Sequence, residues 1–356
     1  MKALLILFLF AQAQLFLASM AFGYRCRQAR FVMGTVARVE VWQRDEASCQ
    51  IALETAFAQI KMVDQLMSNF KPDSDLARIN QQGAISPVKV DPLTFKAIAL
   101  SLDYSRLTHG AFDITVGPLV EAWGFYSGQP SFPSKAELRT RLALVGYEAI
   151  ELDPKASTVF LAKRGMKLDL GGIAKGFALD QAAQALANLG VSTAMLDLGG
   201  NLYFLGEPVQ GSLWKAALVD GRNLDLIRIL LGIKGGAVAS SAAYERFFEW
   251  EGKRYGHIID PGQGRPAWGL LSATVIAPLA TQADALSTAL YVMGLDQGLR
   301  LLERLAEVEA ILVTEDSTVR TSSGLECVTP EKAEGKLRCT ISPKNSTYPG
   351  SGRAPN

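Results

Sequence analysis

The sequence predicts an α+β fold in which mixed and antiparallel sheets pack against helices. Short strand-like segments follow one another closely in the second half of the 356-residue chain, without regular alternation of strand and helix. Hydrophobic residues make up 49% of the composition and charged residues 20%, which suits a large buried core. These totals exclude a disordered, collagen-like or multi-span membrane protein.

Residues 1–23 are predicted to be an export signal. A single lysine precedes the apolar stretch 3–17, and small residues follow, so we expect cleavage after Ala21 or Gly23. The alternative is an uncleaved membrane anchor, because the apolar run is just long enough to span a bilayer. We do not expect lipidation, because the residues before Cys26 are not those of a lipoprotein signal.

The charge balance bears on possible partners. Without residues 1–23 the chain loses one basic residue and holds 35 basic and 35 acidic side chains. A neutral chain argues against nucleic-acid binding through a basic surface. About 330 residues remain, enough for one large domain or two closely packed ones.

The four cysteines lie in two pairs near the chain ends. In an oxidising compartment this spacing suits local disulfides between Cys26 and Cys49 and between Cys327 and Cys339, although four cysteines allow three pairings. With two histidines and no CxxC motif, a His/Cys zinc site is not expected. A hard cation held by oxygen ligands fits the composition better.

Hydrophobic periodicity and capping residues predict the elements of the first half. Residues 36–42 alternate as in a strand, and helices are expected over 52–70 and 92–107. After the Pro/Gly/Ser stretch 127–134, Ser134 and Glu137 form a capping box that begins another helix.

Strands dominate from Thr158 onward. Their predicted ranges are 158–162, 166–170, 194–198, 201–205, 214–219, 225–231, 244–250, 254–259, 272–277 and 310–314. Helices are expected at about 173–189, 282–293 and 296–307. The main domain is thus expected over 24–328, and the Pro, Gly, Ser and Lys content of 329–356 predicts a flexible tail.

The pentapeptide LDLGG occurs twice, at 168–172 and 196–200, and predicts two similar strand-to-glycine corners. The first copy leads into Ala174, Lys175 and the predicted helix, so backbone N–H groups and a cation converge where phosphate oxygens can bind. The alternative is a purely structural tight corner.

Two groups of residues are candidates for metal binding and for proton transfer. Asp284 and Thr288 are four residues apart on one helical face, with Ser287 beside them, and can give oxygen ligands to Mg²⁺. The alternative is a helix N-terminus in which Thr281 is the cap and Asp284 stabilises the first turn. His257 ends a predicted strand, where it can transfer a proton or serve structurally, whereas His109 suits a helix-end cap.

Eight sequence blocks in this order resemble the FAD:protein FMN transferase (ApbE) family. The resemblance covers nearly all of the chain after the signal and rests on MGT (33–35), MSNFKPDSDLARIN (67–80), GAFDITVGPLVEAWGF (110–125), LDLGGIAKGFALD (168–180), LDLGGNLYFLG (196–206), YERFF (244–248), HIIDP (257–261) and DALSTAL (284–290).

The resemblance implies a two-lobed, exported, Mg²⁺-dependent transferase that cleaves FAD, releases AMP and leaves FMN on a threonine or serine of a target protein through a phosphoester. It also implies a periplasmic location and, as a partner, an acceptor protein such as a subunit of a membrane electron-transfer complex. An FAD carrier without transfer activity and an FAD pyrophosphatase are the rival functions.

By position in the family's motifs, His257 is expected to be the general base. The Mg²⁺ ligands are expected from Ala174, Asp284, Ser287 and Thr288. The FAD-binding residues implied by the same motifs are Met33, Phe70, Ala111, Phe112, Asp113, Gly171, Lys175, Phe177 and Ile259. Asp180 is a weaker candidate for FAD binding.

The chain departs from the family pattern at a few positions. Ser240-Ser241-Ala242 replaces the usual Thr-Ser-Gly, Gln263-Gly264 replaces Thr-Gly, and Phe70 stands where tyrosine is common. These changes affect local hydrogen bonds and leave His257, Asp284 and Thr288 intact.

Overall fold

The computed structural model describes residues 23–208, 212–219, 227–243, 246–328 and 337–341. Almost all of the predicted export signal, residues 1–22, lies outside this part of the chain. No helix in the described ranges is both long and apolar enough to traverse a bilayer.

Seven α-helices lie within these ranges, together with two short 3₁₀ helices. The α-helices are α1 (Glu46–Met67), α2 (Asp75–Gln82), α3 (Pro92–Leu107), α4 (Gly117–Ala122), α5 (Lys135–Leu142), α6 (Ala174–Asn188) and α7 (Ala280–Leu302). The 3₁₀ helices are Ile114–Val116 and Tyr147–Ala149.

Nineteen strands are described in the same ranges. They are β1 (Tyr24–Val32), β2 (Thr35–Gln43), β3 (Val88–Lys89), β4 (Ile150–Asp153), β5 (Thr158–Leu161), β6 (Ala194–Leu198), β7 (Asn201–Leu205), β8 (Trp214–Val219), β9 (Ile227–Ile233), β10 (Gly236–Ala242), β11 (Phe247–Trp250), β12 (Lys253–Gly256), β13 (Ile259–Asp260), β14 (Arg265–Pro266), β15 (Leu270–Ala277), β16 (Glu309–Thr314), β17 (Val319–Thr321), β18 (Leu325–Val328) and β19 (Leu337–Ile341).

An eight-stranded antiparallel sheet forms the centre, in the order β1-β2-β6-β7-β10-β15-β16-β17. A four-stranded sheet, β18-β19-β9-β8, is antiparallel except for the parallel pair β19 and β9. The strands β3-β5-β4, β11-β12 and β13-β14 form smaller sheets. The predicted α+β class with antiparallel sheets is confirmed.

The central sheet is buried on both faces. On one face the main core joins the sheet to α1, α6 and α7, with Phe177 and Leu286 buried between the layers. On the other face Phe204 and Ile276 pack against Trp214 and Leu231 of the four-stranded sheet. Period-2 alternation in the strands and helical periodicity in α1 and α6 send apolar side chains to these interfaces.

Capping residues fix several helix boundaries as predicted. Helix α3 occupies the predicted range, with the Asp91 side chain accepting from Leu93 N, and the Ser134 hydroxyl accepts from Glu137 N at the start of α5. Helix α1 begins earlier than the predicted residue 52, because Asp45 accepts from Ser48 N and begins the helix at Glu46.

Some predicted elements are wrong. Residues 166–170 are not a strand, because their backbone pairs with no neighbouring strand; Asp169 N and Leu168 N instead bond to Ile114 O and the Asn80 side chain. The predicted strand 254–259 is interrupted at His257. By contrast, the two helices expected at 282–293 and 296–307 are present as the two halves of α7, which are separated by a kink at the non-helical Gly294; the first half begins earlier, at Ala280, and the second ends earlier, at Leu302.

Both predicted disulfides are present, Cys26–Cys49 between β1 and α1 and Cys327–Cys339 between β18 and β19. The second disulfide overturns part of the predicted tail 329–356. Residues 337–341 form β19, which pairs with β18 and β9 and buries Cys339. The rest of that predicted tail lies outside the described residues.

Candidate active site

The start of α6 and the first turns of α7 meet so closely that each helix caps the other. The Asp284 carboxylate accepts a hydrogen bond of 2.8 Å from Gly176 N. In return, Asp180 of α6 accepts from Ala280 N and Thr281 N, both at 2.8 Å, and from the Thr281 hydroxyl. These carboxylates bind helix N–H groups that have no partner within their own helices.

This geometry excludes the predicted alternative in which Thr281 and Asp284 cap their own helix. Thr281 is not a cap, because α7 begins after Leu279 and Asp180 supplies the carboxylate there. Asp284 does not stabilise its own first turn either, since its oxygen reaches across to α6. Asp180, the weaker candidate for a binding role, thus has a clear structural function.

Hydroxyl groups surround the next turn of α7. Ser287 is fully buried, and its hydroxyl lies 2.9 Å from Ser241 Oγ of β10 and donates to Asp284 O. The same Ser241 hydroxyl lies 3.2 Å from Thr288 Oγ1. Ser241 therefore fixes the two hydroxyls that the sequence proposed as cation ligands.

The Asp284 carboxylate is only 4% exposed. Burial raises the pKa of this carboxyl, while the charge of Lys175, the Gly176 amide and the Asn201 side chain act in the opposite direction. Asn201 is also buried, but its Nδ2 atom makes no hydrogen bond of standard geometry within the described chain. The site thus combines a buried acid with an unsatisfied amide.

His257 lies beside the same lysine. Its Nδ1 atom is 3.1 Å from the carbonyl oxygen of Arg246, and its backbone N–H donates to that oxygen. A carbonyl can only accept, so Nδ1 carries the proton and Nε2 keeps a free lone pair. Desolvation, with smaller contributions from the charges of Lys175 and Arg246, lowers the pKa of His257 to about 4.

The two LDLGG copies converge here, although the first follows an irregular segment rather than the expected strand. A Cβ on Gly172 would lie 3.1 Å from Thr288 Oγ1 and 3.2 Å from the Phe112 ring. The second copy turns at Gly199, beside Thr35, and leads directly to Asn201. The glycines allow backbone to approach the hydroxyl cluster closely.

A polar and aromatic chain continues outward from the first glycine corner. Asp169 accepts from Gly171 N at 2.6 Å and from the Tyr126 hydroxyl at 2.6 Å. The Tyr126 ring meets Phe70 edge to face, with centroids 6.2 Å apart, and Phe70 is 67% exposed. Phe70 therefore offers an accessible ring face at the rim of the site.

Residues 33–312 of the chain match the family model described as the ApbE family. The chain belongs to the ApbE family.

Relatives of known name agree with this assignment. The FAD:protein FMN transferase of Treponema pallidum is 34% identical over 314 residues, covering 84% of this chain and 87% of that protein. The FAD:protein FMN transferase of Haemophilus influenzae is 33% identical over 316 residues, covering 84% and 90%.

Solved ApbE structures share the fold. The ApbE protein of Thermotoga maritima superposes with a TM-score of 0.79 at 34% identity, covering 84% of this chain and 97% of that one. The flavin transferase ApbE of Vibrio cholerae gives a TM-score of 0.72 at 28% identity, covering 85% and 98%.

Several residues that the ApbE motifs assign to FAD binding are enclosed by protein. Phe112 and Phe177 are 3% and 1% exposed within the main core, and Ile259 is buried beside Leu119 and Trp123. In this conformation Phe177 has no open ring surface and supports the start of α6 from within.

Asp113 has a structural role that the motif did not indicate. Its carboxylate begins the 3₁₀ helix Ile114–Val116 by accepting from the amide and hydroxyl of Thr115, and it also accepts from Tyr147 N. Burial raises the pKa of this carboxyl, and the bonds from Thr115 and Tyr147 oppose that shift. Neighbouring Ala111 remains half-buried.

Met33 lies in the two-residue turn between β1 and β2. Its left-handed φ of 53° and that of Gly34 at 71° are those of a tight hairpin turn. The following residue, Thr35, contacts Gly199 of the second glycine corner, so the Met33 turn lies close to Asn201. The Met33 side chain packs partly against the main core.

Two of the residues that depart from the ApbE pattern make side-chain hydrogen bonds. The Ser240 hydroxyl lies 2.8 Å from Thr274 Oγ1, and the Gln263 side-chain amide donates to Asp260.

His109 is exposed and follows α3 in a left-handed conformation, with its N–H bonded to Arg106 O, so the predicted helix-end role is confirmed.

Five site residues have no role in the sequence-based prediction: Ser241, Asn201, Tyr126, Asp169 and Arg246. Four of them lie within or next to the quoted blocks, so their positions were visible, but the partner of each is distant in the chain. The Tyr126–Asp169 bond, for example, joins residues 43 positions apart. Local periodicity carries no signal for such a pair.

Proposed function

We propose that this protein is an exported, Mg²⁺-dependent FAD:protein FMN transferase. One observation carries the proposal: a buried carboxylate, two fixed hydroxyls, a lysine and a histidine with a free lone pair converge at the N-terminus of α6. The named activity of ApbE relatives at 33–34% identity over most of the chain supports it.

The donor set at α6 and α7 fits Mg²⁺. Asp284, Ser287, Thr288 and the backbone carbonyl of Ala174 offer only oxygen, which is what a small hard cation prefers. The buried Asp284 carboxylate and the unsatisfied Asn201 amide mark a polar space that protein atoms leave incompletely paired. Bound Mg²⁺ would neutralise phosphate charge and favour the departure of AMP.

The remaining residues bind and orient FAD. The Lys175 ammonium, together with the positive end of the α6 dipole, can hold the pyrophosphate. Phe70 supplies an exposed ring for stacking, and the turn at Met33 adds apolar surface.

His257 then acts as the general base. The acceptor hydroxyl loses its proton to Nε2 while its oxygen attacks the phosphorus on the FMN side of the pyrophosphate. The bond between that phosphorus and the bridging oxygen breaks, and AMP leaves with the bridging oxygen. The product is FMN joined to the acceptor by a phosphoester. The low pKa of His257 keeps the ring neutral and ready to accept a proton at neutral pH.

The acceptor is proposed to be a threonine or serine of an exported protein, such as a subunit of a membrane electron-transfer complex. The two disulfides support an oxidising compartment such as the periplasm.

The test combines the mature protein with FAD, Mg²⁺ and an extract of exported proteins from cells lacking this gene. We expect AMP release together with proteins that carry covalent flavin. FAD binding without either product would favour a carrier, and free FMN and AMP formed at a rate independent of the extract would favour a pyrophosphatase.

A further inference from the structure

An exposed group of aromatic side chains lies on and around the hairpin that leads to His257. Phe132, Trp250 and Trp268, here called the aromatic patch, are 39%, 52% and 49% exposed. Folded proteins seldom leave several large apolar side chains exposed together unless a partner covers them. The catalytic core described above uses none of the three rings.

The patch rests on a rigid base. Phe132 contacts Trp250 at 4.9 Å and Phe248 at 5.5 Å between ring centroids, and Phe248 stacks on Tyr255 at 5.4 Å. Tyr255 in turn meets Trp268 edge to face at 5.9 Å. Such interlocked rings lose little conformational freedom when a partner binds.

The hairpin β11-β12 connects this patch to the catalytic histidine. Phe248 pairs with Tyr255 and Trp250 with Lys253, and the Arg246–His257 hydrogen bond closes the base of the same hairpin. Trp250 is four residues from Arg246, so its backbone lies about 13 Å along the strand from the end that holds His257. Four residues of an extended polypeptide cover the same distance.

The hairpin also has open backbone edges. Within the described residues β11 and β12 pair only with each other. An extended chain can add to such an edge through main-chain hydrogen bonds, while pockets beside it select alternate side chains.

We propose that the aromatic patch and the hairpin β11-β12 dock the acceptor polypeptide in an extended conformation, with a bulky apolar residue about four positions from the modified hydroxyl. The inference rests on the proposed transfer, because that reaction requires a protein hydroxyl to reach His257. The polypeptide around that hydroxyl must therefore lie on the surface next to the histidine.

The test uses the full mature protein and the exported-protein extract as the probe, with covalent flavin read by in-gel fluorescence. We expect Trp250→Ala to raise the extract concentration needed for half-maximal labelling about tenfold and to change the KM for FAD less than about twofold. Ile85→Ala removes a still more exposed apolar side chain far from the hairpin in sequence and should leave both values unchanged.

Two further variants guard against a folding artefact. Trp250→Tyr keeps an aromatic ring and should restore most of the acceptor affinity, and Phe132→Ala should weaken labelling in the same direction as Trp250→Ala. Equal labelling by the wild-type protein and Trp250→Ala would overturn the docking role while leaving the transferase proposal in place. No labelling by the wild-type protein would instead remove the proposed transfer and this inference together.

Other occupants of the patch predict different results. If the wild-type protein sediments with phosphatidylglycerol vesicles and Trp250→Ala does not, while both label the acceptor equally, the patch binds a membrane. If the wild-type protein is a dimer and Trp250→Ala is a monomer, again with equal labelling, the patch binds a second copy of the chain. Either result would overturn the inference.

Discussion

Asp284 accepts a hydrogen bond from Gly176 N across two helices, although the residues are 108 positions apart. Asp180 returns the contact by accepting from Ala280 and Thr281. The two aspartates thus have the same capping chemistry, but only Asp284 lies with the hydroxyls of Ser287 and Thr288. This pair therefore separates a structural carboxylate from a proposed metal ligand.

Replacing each aspartate by alanine should reveal that difference. Each variant leaves buried N–H groups without an acceptor, so the free energy of unfolding should fall by about 1–3 kcal/mol. Only Asp284→Ala should also lose flavin transfer and the rise in melting temperature that Mg²⁺ gives the wild-type protein, because ligands stabilise the folded state they bind. Thermal unfolding with and without Mg²⁺ measures this, and an equal Mg²⁺ response in both variants would contradict the ligand assignment.

The two histidines provide a matched comparison. His257→Ala should lower kcat for transfer by about 10²–10⁴-fold, the usual contribution of a general base, and retain FAD affinity. His109→Ala changes an exposed helix-end residue and should keep full activity. Initial rates and flavin fluorescence quenching separate the two effects. Unchanged turnover in His257→Ala would exclude the histidine as the base.

The low pKa of His257 also predicts how stability depends on pH. In the unfolded chain a histidine titrates near its ordinary pKa of 6.5, whereas in the fold His257 titrates at about 4. Between these values the unfolded state binds more protons than the folded state. The contribution of neutral His257 to the free energy of unfolding is therefore complete above pH 6.5 and is lost as the pH falls toward 4. Melting temperatures should therefore fall less over this range in His257→Asn than in the wild-type protein. Parallel curves would show that His257 is not desolvated in solution.

Close helix contact at Gly176 predicts a strong steric effect. A Cβ at this position would lie 2.2 Å from the carbonyl oxygen of Ala280, so Gly176→Ala must push α6 and α7 apart. We expect a loss of about 1–3 kcal/mol in the free energy of unfolding, together with reduced transfer. Gly262→Ala is the control, because its nearest neighbour would be an ordinary contact at 3.4 Å. Denaturant unfolding that gives equal stabilities for both variants would refute the close contact.

Local sequence signals were accurate where the chain itself supplies the determining groups. Asp91 begins α3 and Ser134 begins α5, and the cysteine spacing matched the two disulfides. They failed at 166–170, where apolar alternation suggested a strand but the backbone bonds to Ile114 of a 3₁₀ helix and to the Asn80 side chain. They also failed at 337–341, where a strand partner from β9 and a disulfide order a segment of loop-like composition.

The sequence by itself determined the α+β class, the bounds of helices such as α3 and α6 and, through the order of its motifs, the ApbE family. Only the tertiary structure decided which polar groups act together: Asp284 caps α6, Ser241 fixes Ser287 and Thr288, and Arg246 sets the protonated nitrogen of His257. The physical reason is the distance along the chain between the interacting residues. Periodicity and capping arise from residues a few positions apart, whereas the site is built from hydrogen bonds between segments that meet only when the helices pack on the sheet.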